Sequence, residues 1–195
     1  MANPAPALAT LADLEKLPST VKGEIIDGML HTQPRPRSRH QRIVSRINSG
    51  VCVRYDADGG DESGPGEWWI LPEPGITVPG SPEFSPDLAG WRRERLPELP
   101  ENEAISVVPD WVCEILSPGT RSYDLRIKKP FYARIGVQFI WYVDIQARTL
   151  TASRLHEGRW LEVGTFTDDD VVRAEPFEAA EIRLVEFWPA AVKEP

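Results

Sequence analysis

At 195 residues the chain is long enough for one domain with a substantial core, and two full domains would be cramped. Apolar residues make up 41% of it, and no apolar run approaches the ~20 residues of a membrane helix, so no membrane-spanning helix is expected. The net charge of −8 argues against a polyanionic partner until its distribution is read.

That distribution is uneven. Met29 to Tyr55 contains no Asp or Glu but carries Arg35, Arg37, Arg39, Arg42, Arg46 and Arg54. A second basic stretch holds Arg121, Arg126, Lys128, Lys129 and Arg134, broken only by Asp124, while acidic residues gather in 97–103 and 167–186. An acidic chain of this kind can still present a basic face, or merely a solvated basic helix. Cys52 and Cys113 form no zinc or disulfide pattern, and the N-terminus lacks the basic region of a signal peptide, so a cytoplasmic protein is expected. The 19 prolines cluster between apolar runs and predict a loop-rich fold with firm turns.

In chain order, Thr10–Leu17 reads as a short amphipathic helix with Thr10 as cap and Asp13 closing a capping box. Val21–Thr32 reads as a hairpin turning at Asp27-Gly28, and Ser38 opens a helix to about Val53. In that helix His40, Val44, Ile47 and Val51 form one stripe beside Ile43, whereas Arg39, Arg42 and Arg46 line another face. A Gly/Asp-rich loop is expected at 56–66. Glu67–Val78 has strand composition, and Pro72 and Pro74 confine it to an edge or break it.

Pro86–Trp91 predicts a short strand, and Ser106–Leu116 the best core strand. A helix follows from Thr120 to about Ile135, with Gly136 as its C-terminal stop, and Val137–Asp144 is another apolar strand. Leu150–Leu155 and Arg159–Phe166 read as a closing hairpin, and the tail Ala179–Val192 as an edge segment or short helix with Leu184, Phe187 and Trp188 buried. This order predicts a mixed central sheet with helices packed on it.

The chemistry starts in the core strand. Side chains alternate, so Asp110, Val112, Glu114 and Leu116 share one face. A carboxylate inside an apolar strand must be paired, protonated or metal-bound, and Glu114 therefore requires a partner. Asp87, in its own short strand, could join it to hold Mg²⁺ or Mn²⁺; a salt bridge to Arg or Lys is the simpler use of either. Asp124 and Lys128 are one helical turn apart, and a simple surface ion pair is one reading of them. Pro130 should bend or start the helix and so alter how Lys128 projects.

From Pro109 to Asp144 the chain resembles the signature of the Uma2 family of restriction endonucleases, within the PD-(D/E)XK nuclease superfamily. The resemblance rests on Pro109-Asp110, Glu114-Ile-Leu-Ser-Pro118, a helix with Asp124, Lys128 and Tyr132, then Ala133-Arg-Ile-Gly-Val137 and Trp141-Tyr-Val-Asp144. Upstream, Gly23-Glu-Ile-Ile-Asp-Gly28, Arg39-His-Gln41 and Pro86-Asp87 resemble the family's early hairpin, helix opening and central PD strand. The resemblance implies an α/β restriction-endonuclease-like core spanning about 20–155, with the N-terminal helix and C-terminal segment packed on it.

It also implies the site. Asp87 and Glu114 would be the metal-binding acids, and the lysine that the superfamily carries two positions after the acid (here Leu116) would have migrated to Lys128. Glu24 would be the family's early glutamate; whether it or Asp110 joins the metal shell stays open. The function implied is Mg²⁺- or Mn²⁺-dependent hydrolysis of DNA phosphodiesters, with Arg37, Arg39, Arg42, Arg46 and Arg121 on phosphates and a homodimer as the working unit. The alternatives are a catalytically silent module that binds nucleic acid or protein, and a hydrolase of another phosphoester.

Overall fold

Asp27 and Gly28 both take left-handed backbone (φ 54° and 73°), which glycine adopts freely and aspartate tolerates, and the chain reverses there. The hairpin so formed pairs β1 (Val21–Ile26) with β2 (Met29–Pro34) in antiparallel register, Ile26 opposite Met29. Ahead of it, α1 (Leu11–Glu15) begins at Thr10, whose N–H and hydroxyl donate to the Asp13 carboxylate at 3.0 and 2.9 Å. The computed structural model describes residues 7–56, 67–101, 103–179 and 181–188. The expected loop beyond Asp56, the first six residues and the tail beyond Trp188 lie outside the described residues.

The basic helix α2 (Ser38–Tyr55) buries Ile43, Val44, Ile47, Val51 and Tyr55, the stripe its periodicity predicts. The segment after it is cut by its prolines as expected. β3 (Trp68–Pro72) ends at Pro72 and β4 (Ile76–Val78) begins past Pro74, each becoming the edge strand of a different sheet. The smaller sheet runs β2-β1-β5-β4, where β5 (Ser81–Phe84) follows the turn at Gly80.

The larger sheet has the order β10-β9-β8-β7-β6-β3. Its inner strands are β6 (Leu88–Arg92), β7 (Trp111–Leu116), β8 (Phe139–Asp144) and β9 (Thr149–His156). β7 and β8 are parallel and their other neighbours antiparallel, so the chain must cross over between them, and it does so through a helix. The core strand starts at Trp111 rather than Ser106, although Asp110 N–H still donates to the Gly90 carbonyl at 2.9 Å. β10 (Arg159–Thr167) closes the far edge through the turn at Glu157-Gly158.

Alternation along β7 sorts the core. Trp111, Cys113 and Ile115 pack against α2 and against Phe177, Leu184 and Phe187 from the tail; Val112 and Leu116 meet Phe131, Tyr132, Ile26 and Phe84 on the other face. Trp111 makes edge contacts with Trp141 and Phe177 at ring separations of 5.4 and 4.9 Å, each contributing about 0.5–1.5 kcal/mol beyond the area it buries. The tail returns through a small ribbon of β11 (Val171–Val172) and β12 (Ile182–Arg183). Among the described residues no helix is long and apolar enough to cross a membrane.

The crossover helix is irregular where it matters. α3 (Arg121–Tyr123) widens into a π-helical turn, Asp124–Lys128, before α4 (Lys129–Ile135). Pro130 has no N–H to give the carbonyl four residues back, and Lys129 N–H instead donates to the Asp124 carbonyl five residues back. Asp124 and Lys128 are both buried, at 4% and 3% exposure, rather than paired on the surface. Gly136, at φ 91°, ends the helix as expected.

Candidate active site

Four elements deliver acidic or basic groups to one point beside the C-terminal half of β7. Glu114 comes from the face of β7 that meets α4, and Asp87 stands just before β6, where the register (Leu88 opposite Cys113) sets it beside Glu114. Glu24 arrives from β1 and Lys128 from the π-helical turn. Lys128 Nζ donates to Glu114 Oε1 at 2.9 Å and lies 3.3 Å from Glu24 Oε1. Tyr132, one turn further along the helix, donates its hydroxyl to the same Glu114 oxygen at 2.5 Å.

Backbone groups hold the remaining oxygens. Asp87 Oδ2 accepts the Ile115 N–H at 2.7 Å, and Asp87 N–H reaches Glu114 Oε2 at 3.4 Å. Glu24 accepts the Ser85 N–H at 2.8 Å on Oε1 and the Tyr123 hydroxyl at 3.1 Å on Oε2. His40, from the first turn of α2, places Nε2 2.9 Å from Asp87 Oδ1. His40 and Asp87 side chains keep 14% and 10% exposure, whereas Glu114 and Lys128 keep 2% and 4%, so the cluster opens to solvent on the His40 side.

The electrostatics separate the two central acids. Burial, reinforced by the Asp87, Asp124 and Glu24 charges against the opposing Lys128, pushes the Glu114 carboxyl up to about 8. Burial would also raise Asp87, but the hydrogen bond and charge of His40, with Lys128 and Lys22, hold it below the usual carboxylate range. Asp124 is raised to about 6, chiefly by burial, against the pull of Lys128 and a hydrogen bond from Thr120. Lys128 is also buried, yet Glu114 and Glu24 keep its ammonium charged well above the ordinary lysine range. Desolvating such ions costs several kcal/mol each, so a cluster like this is a poor device for stability alone.

Of the site residues expected from sequence, Asp87, Glu114, Lys128 and Glu24 meet here. Asp110 does not: its carboxylate accepts Arg95 at 2.6 Å and the Arg92 N–H at 2.9 Å. The basic residues divide as well. Arg37, Arg39 and Arg42 are exposed, with no ion-pair partner among the described residues. Arg46 is tied through Nη1 to the Glu186 and Trp188 carbonyls at 2.8 and 2.9 Å, and the half-exposed Arg121 pairs with Asp144, so both guanidiniums are already engaged in part. Trp68 and Trp91 are buried, and Trp69 lies under Arg93 with its N–H on the Leu96 carbonyl, so none of the three presents a free ring face for stacking on a base. His40 is a site residue the sequence does not single out; its place on the apolar stripe of α2 is the signal that it points toward the sheet.

The donors are all oxygens, as Mg²⁺ or Mn²⁺ requires, and among the described residues Glu114 Oε2 has only the long contact from Asp87 N–H. Among the described residues no three His, Cys, Asp or Glu side chains are set to hold an ion unaided. Two carboxylates completed by water and substrate oxygens are a usual arrangement for magnesium, so the donor set fits that ion and not a closed protein cage.

A mixed sheet flanked by helices, with carboxylates at adjoining strands, defines a restriction-endonuclease-like core. The chain belongs to the Uma2 family, described as "putative restriction endonuclease", whose profile matches residues 9–185. Its fold is shared with the crystal structure of a protein described as "a putative nuclease belonging to DUF820" from Anabaena variabilis ATCC 29413. The TM-score is 0.69 at 22% identity, over 92% of this chain and 97% of that one. Among curated proteins no relative matches the chain.

Proposed function

We propose that this protein is a divalent-metal-dependent endonuclease that hydrolyses DNA phosphodiester bonds. Family and fold support a nuclease. The observation that carries the reaction is the Asp87–Glu114 pair with the Lys128 ammonium 2.9 Å from Glu114. Mg²⁺ or Mn²⁺ held by Asp87 and Glu114 would supply Lewis acidity toward a phosphate oxygen and a lowered pKa for bound water.

The chain's own groups have definable parts. Lys128, migrated from the strand to the helix, brings a permanent positive charge to balance the one that develops on the attacked phosphate. Tyr132 and Lys128 together fix Glu114 Oε1, which leaves Oε2 on the Asp87 side. His40 orients Asp87 from the solvent side. Arg37, just ahead of α2, and Arg39 and Arg42 on it, beside His40 in the first turn, would engage backbone phosphates and so position the duplex without reading its sequence. A homodimer would present two such sites to two strands. The unpaired cysteines suit the reducing cytoplasm in which this reading sets it.

The test is a substrate panel of supercoiled plasmid, single-stranded DNA and RNA, each with Mg²⁺, Mn²⁺ or chelator. Metal-dependent cleavage of DNA is the expected outcome. Folded protein that binds DNA but leaves every substrate intact would replace the nuclease by a binding module.

A further inference from the structure

The oxygens around Lys128 form a cation cage of their own. Nζ lies 2.9 Å from Glu114 Oε1, 3.3 Å from Glu24 Oε1 and 3.3 Å from the Ser85 carbonyl. Two carboxyl oxygens and one carbonyl are the donor set of a hard cation as much as of an ammonium. Glu24 is aimed at this point by the Ser85 N–H and the Tyr123 hydroxyl, and none of its contacts reaches Asp87. The π-helical turn makes the placement possible, because it brings Lys128 into the interior.

We propose that the Lys128 ammonium stands where a second divalent ion would sit in a two-ion phosphodiesterase, with Glu24 as its counter-ion, so that each chain takes one divalent ion. The inference rests on the reading of Asp87 and Glu114 as the ligands of that ion. It assigns Glu24 to the lysine and not to the metal shell. Glu114 is shared: Oε1 serves the ammonium, and Oε2, on the Asp87 side, serves the metal ion. The charges agree with one added ion and not two, since a second divalent ion would have to displace a buried ammonium already held by Glu24 and Glu114.

The experiment counts bound Mn²⁺ per chain by the electron paramagnetic resonance signal of the free ion, on the full-length protein. Wild type is expected to bind one ion and Lys128→Ala two, the second lost again in the Glu24→Gln, Lys128→Ala double variant. A Lys128→Ala protein that keeps its circular dichroism yet binds no more ions than wild type overturns the cage, as does a wild type that binds two. Glu24→Gln alone guards against misfolding of the lysine variant: it is expected to keep the wild-type stoichiometry of one ion, and loss of the ion in it places Glu24 in the metal shell and overturns the proposal. Failure of the underlying site looks different, because wild type would then bind no ion or Asp87→Asn would leave binding unchanged.

Discussion

Glu114 is a carboxyl group held where its neutral form is favoured, and that preference has a measurable sign. Its folded value of about 8 lies above the unfolded 4.5, so the native state holds the proton more tightly than the unfolded chain does. The stabilisation is therefore fully present below 4.5 and is lost as pH rises toward 8; Asp124, raised from 3.8 to about 6, acts in the same direction. In chelator, the melting temperature should fall between about pH 5 and 8, and Glu114→Gln should flatten that slope. A wild-type profile level over this range would contradict the assigned environment. Tyr132→Phe removes the 2.5 Å hydrogen bond to Glu114 and should cost about 0.5–1.5 kcal/mol in urea denaturation near neutral pH, the range for a bond between neutral groups.

Among the elements, α2 gives the sharpest contrast, because its arginines look alike in sequence and differ in the fold. Arg39 and Arg42 are exposed, whereas Arg46 holds the tail carbonyls. Arg39→Ala and Arg42→Ala should each lower the salt slope of DNA binding by about 1, and Arg46→Ala should leave that slope intact while destabilising the tail. Wild-type slopes for both Arg39→Ala and Arg42→Ala would remove these two arginines from the nucleic-acid contact.

The elements that sequence made legible are those with strong local patterns: the Asp27-Gly28 hairpin, the apolar stripe of α2, the alternation of β7 and the stop at Gly136. β5 was not legible, since four residues including Pro82 carry no period and pair only through neighbours distant in sequence. The same reason divides the site. Asp87, Glu114, Lys128, Glu24 and Tyr132 stand in motifs, but the His40–Asp87 contact spans 47 positions and exists only once α2 lies on the sheet. Pro130 announced an irregular helix, and the π-helical turn is the form that irregularity takes.

At the scale of the molecule, the fold supports a buried charged cluster with an aromatic core on the opposite face of the sheet. Trp111, Trp141 and Phe177 meet edge to face there and anchor the tail to β7 and β8. Trp111→Ala should cost about 3–5 kcal/mol in denaturant, and a loss well below that would mean the core collapses into the vacancy. Such a change should also reach the site, because Trp111 and Glu114 share one six-residue strand.

The central claim is that this strand presents a metal-dependent phosphodiesterase, and its most direct test is nicking of supercoiled plasmid in Mg²⁺ by wild type beside Glu114→Ala. The account predicts nicking that stops on chelation, resumes when the ion is restored and is absent from the folded variant. Cleavage by Glu114→Ala at the wild-type rate would contradict it and move the chemistry to another part of the molecule.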